Sequence, residues 1–134
     1  MIHLDERWLT IHWDESLQAV WMEWKSYCEG ADFRSALDAG LTLIRQKRTS
    51  RWLADLRLLG PVRQDDQQWA NNDWFPRAVA GGVRFMALVS PRAAVARLSV
   101  KQIMSKVDEV NLITAHFDDI EAARAWLRNP TKPL

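Results

Sequence analysis

The chain has 134 residues, 48% of them apolar, with 18 Lys and Arg against 17 Asp and Glu. This length and composition are typical of one globular domain with a single core, and they argue against disordered, collagen-like and coiled-coil proteins. The formal net charge of +1 lacks the basic excess that nucleic-acid binding through counterion release requires. A single cysteine, the absence of a signal-peptide pattern, and apolar runs shorter than the roughly 20 residues of a membrane span predict a soluble, cytoplasmic protein.

The first third of the chain predicts an antiparallel hairpin followed by a helix. Residues 8–14 and 18–26 alternate between apolar and polar side chains and are separated by a short turn, which is typical of two half-buried strands. A helix follows, with Asp32 as its predicted N-cap. Its buried face is predicted from one apolar stripe at helical spacing, formed by Phe33, Ala36, Leu37, Gly40, Leu41 and Ile44.

The middle of the chain contains two apolar strands with a helical region between them. Residues 51–58 and 83–89 are the predicted strands, the second apolar enough to be covered on both faces. The helical region begins at residue 64. Pro76 interrupts it, so we expect a kink or a new helix near Asp73.

The last third repeats the alternation. Ser99 and Gln102 have the spacing of a capping box and predict the start of a helix. A final strand at 111–117 and a helix capped by Asp118 complete the order β-β-α-β-α-β-α-β-α. Such alternation implies an α/β domain with a mostly parallel sheet, an antiparallel edge hairpin and helices packed against it. We expect one domain over 1–134, with its core at about 8–127 and a frayed tail at 128–134.

This order of elements resembles that of SpoIIAA-like (STAS-type) domains, which are related in architecture to SEC14 (CRAL-TRIO) lipid carriers. The resemblance extends over roughly residues 8–127. It includes the segment Arg51–Arg57 after the first helix, Asp73–Ala78, Phe85–Val89 and the closing strand and helix Phe117–Leu127. It implies a binding or regulatory module without a catalytic site.

The resemblance also implies a phosphorylation switch, which this sequence lacks. Members that regulate sigma factors carry the modified Ser or Thr just after the third strand, at the start of the second helix. Here the corresponding stretch, 58–67, contains no hydroxyl side chain. A phosphate there would add about −1.5 to −2 charges at a helix N-terminus, and we predict that this chain does not use that switch.

The sequence contains no catalytic, metal-binding or cofactor-binding motif, and we expect no enzyme activity, metal or cofactor. The histidines lack metal-ligand spacing, and no Gly-rich phosphate loop is present. Asp55, Arg57 and His116 lie near the carboxyl ends of predicted strands, the edge where α/β sheets usually bind ligands. Each is therefore a candidate binding residue, although pairing with neighbouring charges is the simpler explanation for Asp55 and Arg57, and a surface or capping position is the simpler explanation for His116.

Aromatic residues give the second group of candidates. The chain has eight tryptophans, and Trp69, Trp74 and Phe75 fall in the interrupted helix. Because Trp74 and Phe75 are adjacent, they cannot point the same way, and we expect one of them near the surface. They could form a mobile lid over an apolar pocket, a dimer contact or part of the core.

Two functions remain open. The first is a non-enzymatic STAS-like module that acts through protein–protein contacts, with another protein or with itself as a homodimer. The alternative is a carrier or sensor of a small apolar, lipid-like ligand, with a mobile aromatic helix and at most peripheral membrane contact.

Overall fold

A computed structural model describes residues 1–131, so the end of the predicted tail, residues 132–134, lies outside the described residues. One six-stranded sheet follows the chain order: β1 (Ile2–Glu6), β2 (Leu9–Asp14), β3 (Ala19–Trp24), β4 (Arg51–Asp55), β5 (Phe85–Val89) and β6 (Ile113–Phe117). The first three strands are antiparallel, and β3 to β6 are parallel. The predicted α/β class, with its antiparallel edge, is confirmed.

Helices cover both faces of the parallel strands. They are α1 (Gly30–Lys47), α2 (Gln64–Trp69), α3 (Phe75–Ala80), α4 (Ala94–Met104) and α5 (Ile120–Arg128). The main core lies between the sheet and α1 to α4, whereas α5 alone packs on the opposite face. Alternate residues of β4 and β5 therefore enter different cores, which explains why both strands are almost wholly apolar.

Helix α1 packs closely on the centre of the sheet. All six residues of the predicted stripe are buried, and Gly40 faces Trp52 and Met22 at its midpoint. The predicted cap was wrong: the helix begins at Gly30, and Asp32 lies in its first turn. A carboxylate there still interacts favourably with the positive end of the helix dipole.

Three further predictions differ from the structure. Strand β1 was not predicted, because its side chains are mostly exposed and do not alternate. Helix α4 begins at Ala94, so the capping box at Ser99 is wrong; the Ser99 hydroxyl lies mid-helix and accepts a hydrogen bond from the Val62 amide at 3.0 Å. Helix α5 is capped by Asp119, whose carboxylate accepts from the Ala122 amide, and not by Asp118.

The predicted kink near Asp73 is a π-helical turn. Residues Ala70–Trp74 join α2 to α3, and Pro76 follows in the first turn of α3. Because proline has no amide proton, it cannot donate a helical hydrogen bond to a carbonyl of the preceding π-helical turn. The wider turn changes the direction of the residues that follow relative to a continuous α-helix. Trp74 consequently points into the core.

Candidate functional site

Asp55 and Arg57 form an ion pair at the carboxyl end of β4. Arg57 Nε donates to Asp55 Oδ1 at 2.8 Å and Nη2 donates to Oδ2 at 2.7 Å, which is the strong bidentate arrangement. Trp21 Nε1 donates to the same carboxylate at 3.2 Å. Asp55 is 1% exposed. Its oxygens are thus occupied by protein donors, and a ligand-binding role for the pair stays a prediction.

His116 lies in a groove between β6 and α4 with a volume of about 390 Å³. It pairs in register with Leu88, so its side chain is on the α4 side of the sheet. The volume is within the usual range of small-molecule pockets, and the groove lies at the carboxyl edge of the parallel strands. Its lining consists of Leu56, Leu88, Ser90, Pro91, Arg97, Val100, Lys101, Met104, Ser105, Glu109 and His116.

The three aromatic candidates have different environments. Trp74 is 1% exposed, donates from Nε1 to the Leu37 carbonyl at 3.1 Å and packs edge to face against Trp52. Phe75 is half-buried beside it, so it is the member of the pair that lies nearer the surface. Trp69 is also half-buried, with the guanidinium of Arg34 5.4 Å from its ring centroid. A lid formed by these residues stays a prediction, but the anchored Trp74 could not move as part of it without losing core contacts.

A small apolar cavity lies beside Trp74 and Phe75. Its volume is about 70 Å³, and its walls come from the sheet, α1, α4 and the π-helical turn. An engineered apolar cavity of about 150 Å³ holds one benzene molecule, so this space is too small for an acyl chain as it stands. Leu56, Leu88, Val100 and Met104 line both this cavity and the groove at His116.

Residues 58–67, which the resemblance compares with the switch region of sigma-factor regulators, lie at the same edge. This segment runs from the turn after β4 into the first turn of α2, where Asp65 and Asp66 lie. Asp66 is fully buried and accepts hydrogen bonds from the Gly30 amide at 2.9 Å and from Arg34 Nε at 3.1 Å. The start of α2 is therefore fixed to the start of α1 by a buried carboxylate.

Exposed apolar side chains surround this segment. Leu58 is 53% exposed, and the adjacent Arg57 carbonyl accepts from the Arg92 amide, which connects the turn to the start of the α4 region. On α4, Val95 and Leu98 are 61% and 56% exposed, and their spacing of three places them on one face. Leu58, Val95 and Leu98, together with Tyr27, are named the edge cluster.

Tyr27 belongs to the edge cluster through its contact with Gly60. A methyl group on Gly60 would lie 3.1 Å from Tyr27 Cβ, and the tyrosine is 47% exposed. Within residues 1–131, seven large apolar residues are exposed, and the other three are Met1, Ile2 and Val110. Four of the seven therefore lie on segments at the carboxyl edge of the parallel strands.

The thiol of Cys28 is buried. Burial, followed by the nearby carboxylates of Asp32 and Asp66, raises the pKa of the Cys28 thiol to about 12. In the part of the chain that the structure describes, no group of three His, Cys, Asp or Glu side chains could hold a metal ion. None of the described helices is long and apolar enough to cross a membrane.

The structure separates the predicted site residues into four places: the Asp55–Arg57 pair, the groove at His116, the wall of the internal cavity with Trp74 and Phe75, and Trp69 beside Arg34. Sequence reasoning missed the edge cluster and the cationic wall of the groove, because the directions of Val95, Arg97 and Leu98 depend on where α4 begins. Extending the buried stripe of α4 backward from Val100 to Ala96 would have revealed the earlier start.

Comparison with known families agrees with this architecture. The family model for SpoIIAA-like domains matches residues 19–128, from the start of β3 to the end of α5. No curated protein and no solved structure gives a significant match to the chain. Because the family match covers more than three quarters of the sequence, the chain belongs to the SpoIIAA-like, STAS-type domain family.

Proposed function

We propose that this chain is a non-enzymatic binding and regulatory module that acts through protein–protein contacts at the carboxyl edge of its sheet. The edge cluster is the observation that carries the proposal. Leu58 lies in the segment that the resemblance compares with the switch region of related regulators. Val95 and Leu98 lie between Arg92 and Ser99, which are hydrogen-bonded to Arg57 and Val62 of the same part of the chain. The partner is a second protein or a second copy of this chain in the cytoplasm.

The edge cluster favours a weak, reversible contact. Its side chains are between 47% and 61% exposed, and full burial of one large apolar side chain contributes about 1.5–3 kcal/mol. Covering the half that is still exposed yields about 1 kcal/mol from each residue, much of which offsets the entropy lost on association. Such a surface suits a partner that binds and leaves, as regulation requires.

Partner binding in this proposal does not depend on phosphorylation. The segment 58–67 has no hydroxyl group, and the nearby Ser99 hydroxyl is buried in the bond with the Val62 amide. The start of α2 instead carries two carboxylate side chains, the exposed Asp65 and the buried Asp66, which pairs with Arg34. The module therefore differs from switched regulators of the same fold in offering one surface at all times.

The test compares two charge insertions on exposed apolar residues. Leu98→Asp disrupts the edge cluster, whereas Val110→Asp makes the same kind of change at the 85% exposed Val110, at the opposite end of the parallel strands. Light scattering over micromolar concentrations tests self-association, and quantitative co-purification from the source cells tests other partners. We expect Leu98→Asp to abolish a contact that Val110→Asp retains. A wild-type monomer with no partner, or equal loss in both variants, would refute the proposal.

The second candidate function is that of a carrier or sensor for a small apolar ligand. The apolar cavity beside Trp74 and Phe75 favours it, although a lipid-like ligand requires the half-buried Phe75 to move outward. Native mass spectrometry of freshly purified protein tests it directly. A reproducible bound mass that Phe75→Ala alters, together with vesicle binding, would support this function, whereas an apo spectrum would exclude it.

A further inference from the structure

Helix α4 lines the groove at His116 with two cations. Arg97 and Lys101 are four residues apart and so lie on one face of the helix. Arg97 Nη1 donates to the Pro91 carbonyl at 3.3 Å and to the Arg92 carbonyl at 2.7 Å, which fixes the guanidinium at the groove mouth. Across residues 1–131, Lys101 makes no ion pair. Its ammonium group is available to an external anion.

The opposite end of the groove carries a negative charge. Glu109 accepts a hydrogen bond from the Thr114 hydroxyl at 3.0 Å and lies beyond the end of α4. The groove follows α4 from Arg97 to Ser105, a rise of roughly 12 Å at about 1.5 Å per residue. A ligand with one anionic group near Arg97 and Lys101 avoids Glu109, whereas a second anionic group at the far end would be repelled.

The floor between these ends is apolar. It is formed by Leu56, Leu88 and Val100, each at most 9% exposed, with the half-buried Met104 beside them. Methionine adapts its shape readily to an apolar group. Because the same side chains separate the groove from the internal cavity, a ligand ring on this floor would contact a continuous apolar layer.

We propose that the groove between β6 and α4 binds a small organic monocarboxylate. The carboxylate interacts with Lys101 and Arg97, with His116 on the facing strand, and the apolar body lies on Leu56, Leu88 and Val100. This ligand site is separate from the edge cluster, and neither its success nor its failure depends on the protein contact proposed above.

The test is a titration of isotope-labelled protein followed by amide NMR shifts, with benzoate as the probe. We expect saturable shifts that centre on Leu88, Val100 and His116. Benzyl alcohol, which is similar in size but neutral, and terephthalate, which carries a second carboxylate, should each bind at least about fivefold more weakly. Inorganic phosphate should produce no saturable shift at these amides.

Two lysine variants provide the matched comparison. Lys101→Gln should weaken benzoate binding by about fivefold to tenfold, since a charge-assisted hydrogen bond is lost. Lys106→Gln removes the same charge from an exposed lysine just beyond the helix, outside the groove lining, and should change the affinity less than twofold. Thermal unfolding verifies that both variants stay folded, as expected for exposed side chains. No saturable benzoate shift, equal binding of benzyl alcohol, or equal effects of the two variants would each overturn the proposal.

Discussion

Substitution of Gly40 by alanine tests how closely α1 packs on the sheet. A methyl group on Gly40 would lie 2.5 Å from Trp52 Cη2 and 2.7 Å from Met22 Sδ, far inside the about 3.5–4.0 Å of an optimal carbon contact. Met22 can change its rotamer, but Trp52 is 2% exposed and packs edge to face on Trp74, with ring centroids 5.0 Å apart. The tryptophan ring therefore cannot move away without displacing the core.

Two effects of opposite sign determine the result for Gly40→Ala. Alanine is favoured over glycine by about 1 kcal/mol within a helix, whereas overpacking a dense core costs about 1–3 kcal/mol. With contacts this short the cost is expected at the upper end, so the net loss in the free energy of unfolding is about 2 kcal/mol. The midpoint of thermal unfolding should fall by roughly 5–10 °C.

Urea denaturation measures this loss, and Ser35→Ala is the control. Ser35 is exposed on the same helix, so its substitution should stabilise the protein by a few tenths of a kcal/mol through helix propensity alone. In a Trp52→Phe background, which lacks the Cη2 and Cζ3 atoms, Gly40→Ala should cost at least about 1 kcal/mol less. A Gly40→Ala protein as stable as wild type, or the same cost in both backgrounds, would show that the close contact is absent.

Three other predictions follow from named contacts. Asp55→Asn should lower the free energy of unfolding, measured by urea denaturation, by about 2–4 kcal/mol, because it leaves the Arg57 guanidinium without its carboxylate partner. A decrease below about 0.5 kcal/mol would show that the Asp55–Arg57 ion pair does not stabilise the fold. Cys28, with its pKa raised to about 12 mainly by burial, should react with iodoacetamide at pH 7.5 at least about 1000-fold more slowly in folded than in unfolded protein. For Asp14, burial raises the pKa, but hydrogen bonds from Ser16 and Leu17 and the pairing with Arg124 outweigh it, so the pKa is lowered. The ionised Asp14 carboxylate stabilises the folded protein above the pKa of about 3.9 that it has in the unfolded chain, and this stabilisation is lost as the pH falls through its lower pKa in the folded protein. Asp14→Asn should therefore lower the free energy of unfolding by about 1 kcal/mol at pH 7 and by progressively less below pH 4.

The sequence predicted those elements whose burial is periodic. The stripe from Phe33 to Ile44 fixed the position and buried face of α1, and the apolar runs located β4 and β5 because both faces of these strands are covered. Strand β1 was not predicted, because an exposed edge strand has no buried face and its sequence therefore need not alternate between apolar and polar residues. Its pairing with β2 defines it as a strand. Trp74 and Phe75 could not be assigned from the sequence, since the π-helical turn determines which of them points inward.

The candidate site was predictable only in outline. Asp55, Arg57 and His116 were correctly placed at the carboxyl edge, because parallel strands end together there. Which of them face open space depends on side-chain partners: Asp55 is enclosed by Arg57 and Trp21, while His116 opens onto the groove. Periodicity contains no information about such pairing.

The start of α4 determines both proposed surfaces. A helix beginning at Ser99 would leave Val95, Arg97 and Leu98 in a loop without a fixed direction. A helix beginning at Ala94 directs Ala96 and Val100 inward, Val95 and Leu98 toward solvent at the edge cluster, and Arg97 with Lys101 into the groove. One helix then presents a partner surface on one side and a ligand wall on another. The hydrogen bond that the Val62 amide donates to the Ser99 hydroxyl is therefore central, because it fixes the segment 58–67 to the helix that carries both proposed surfaces.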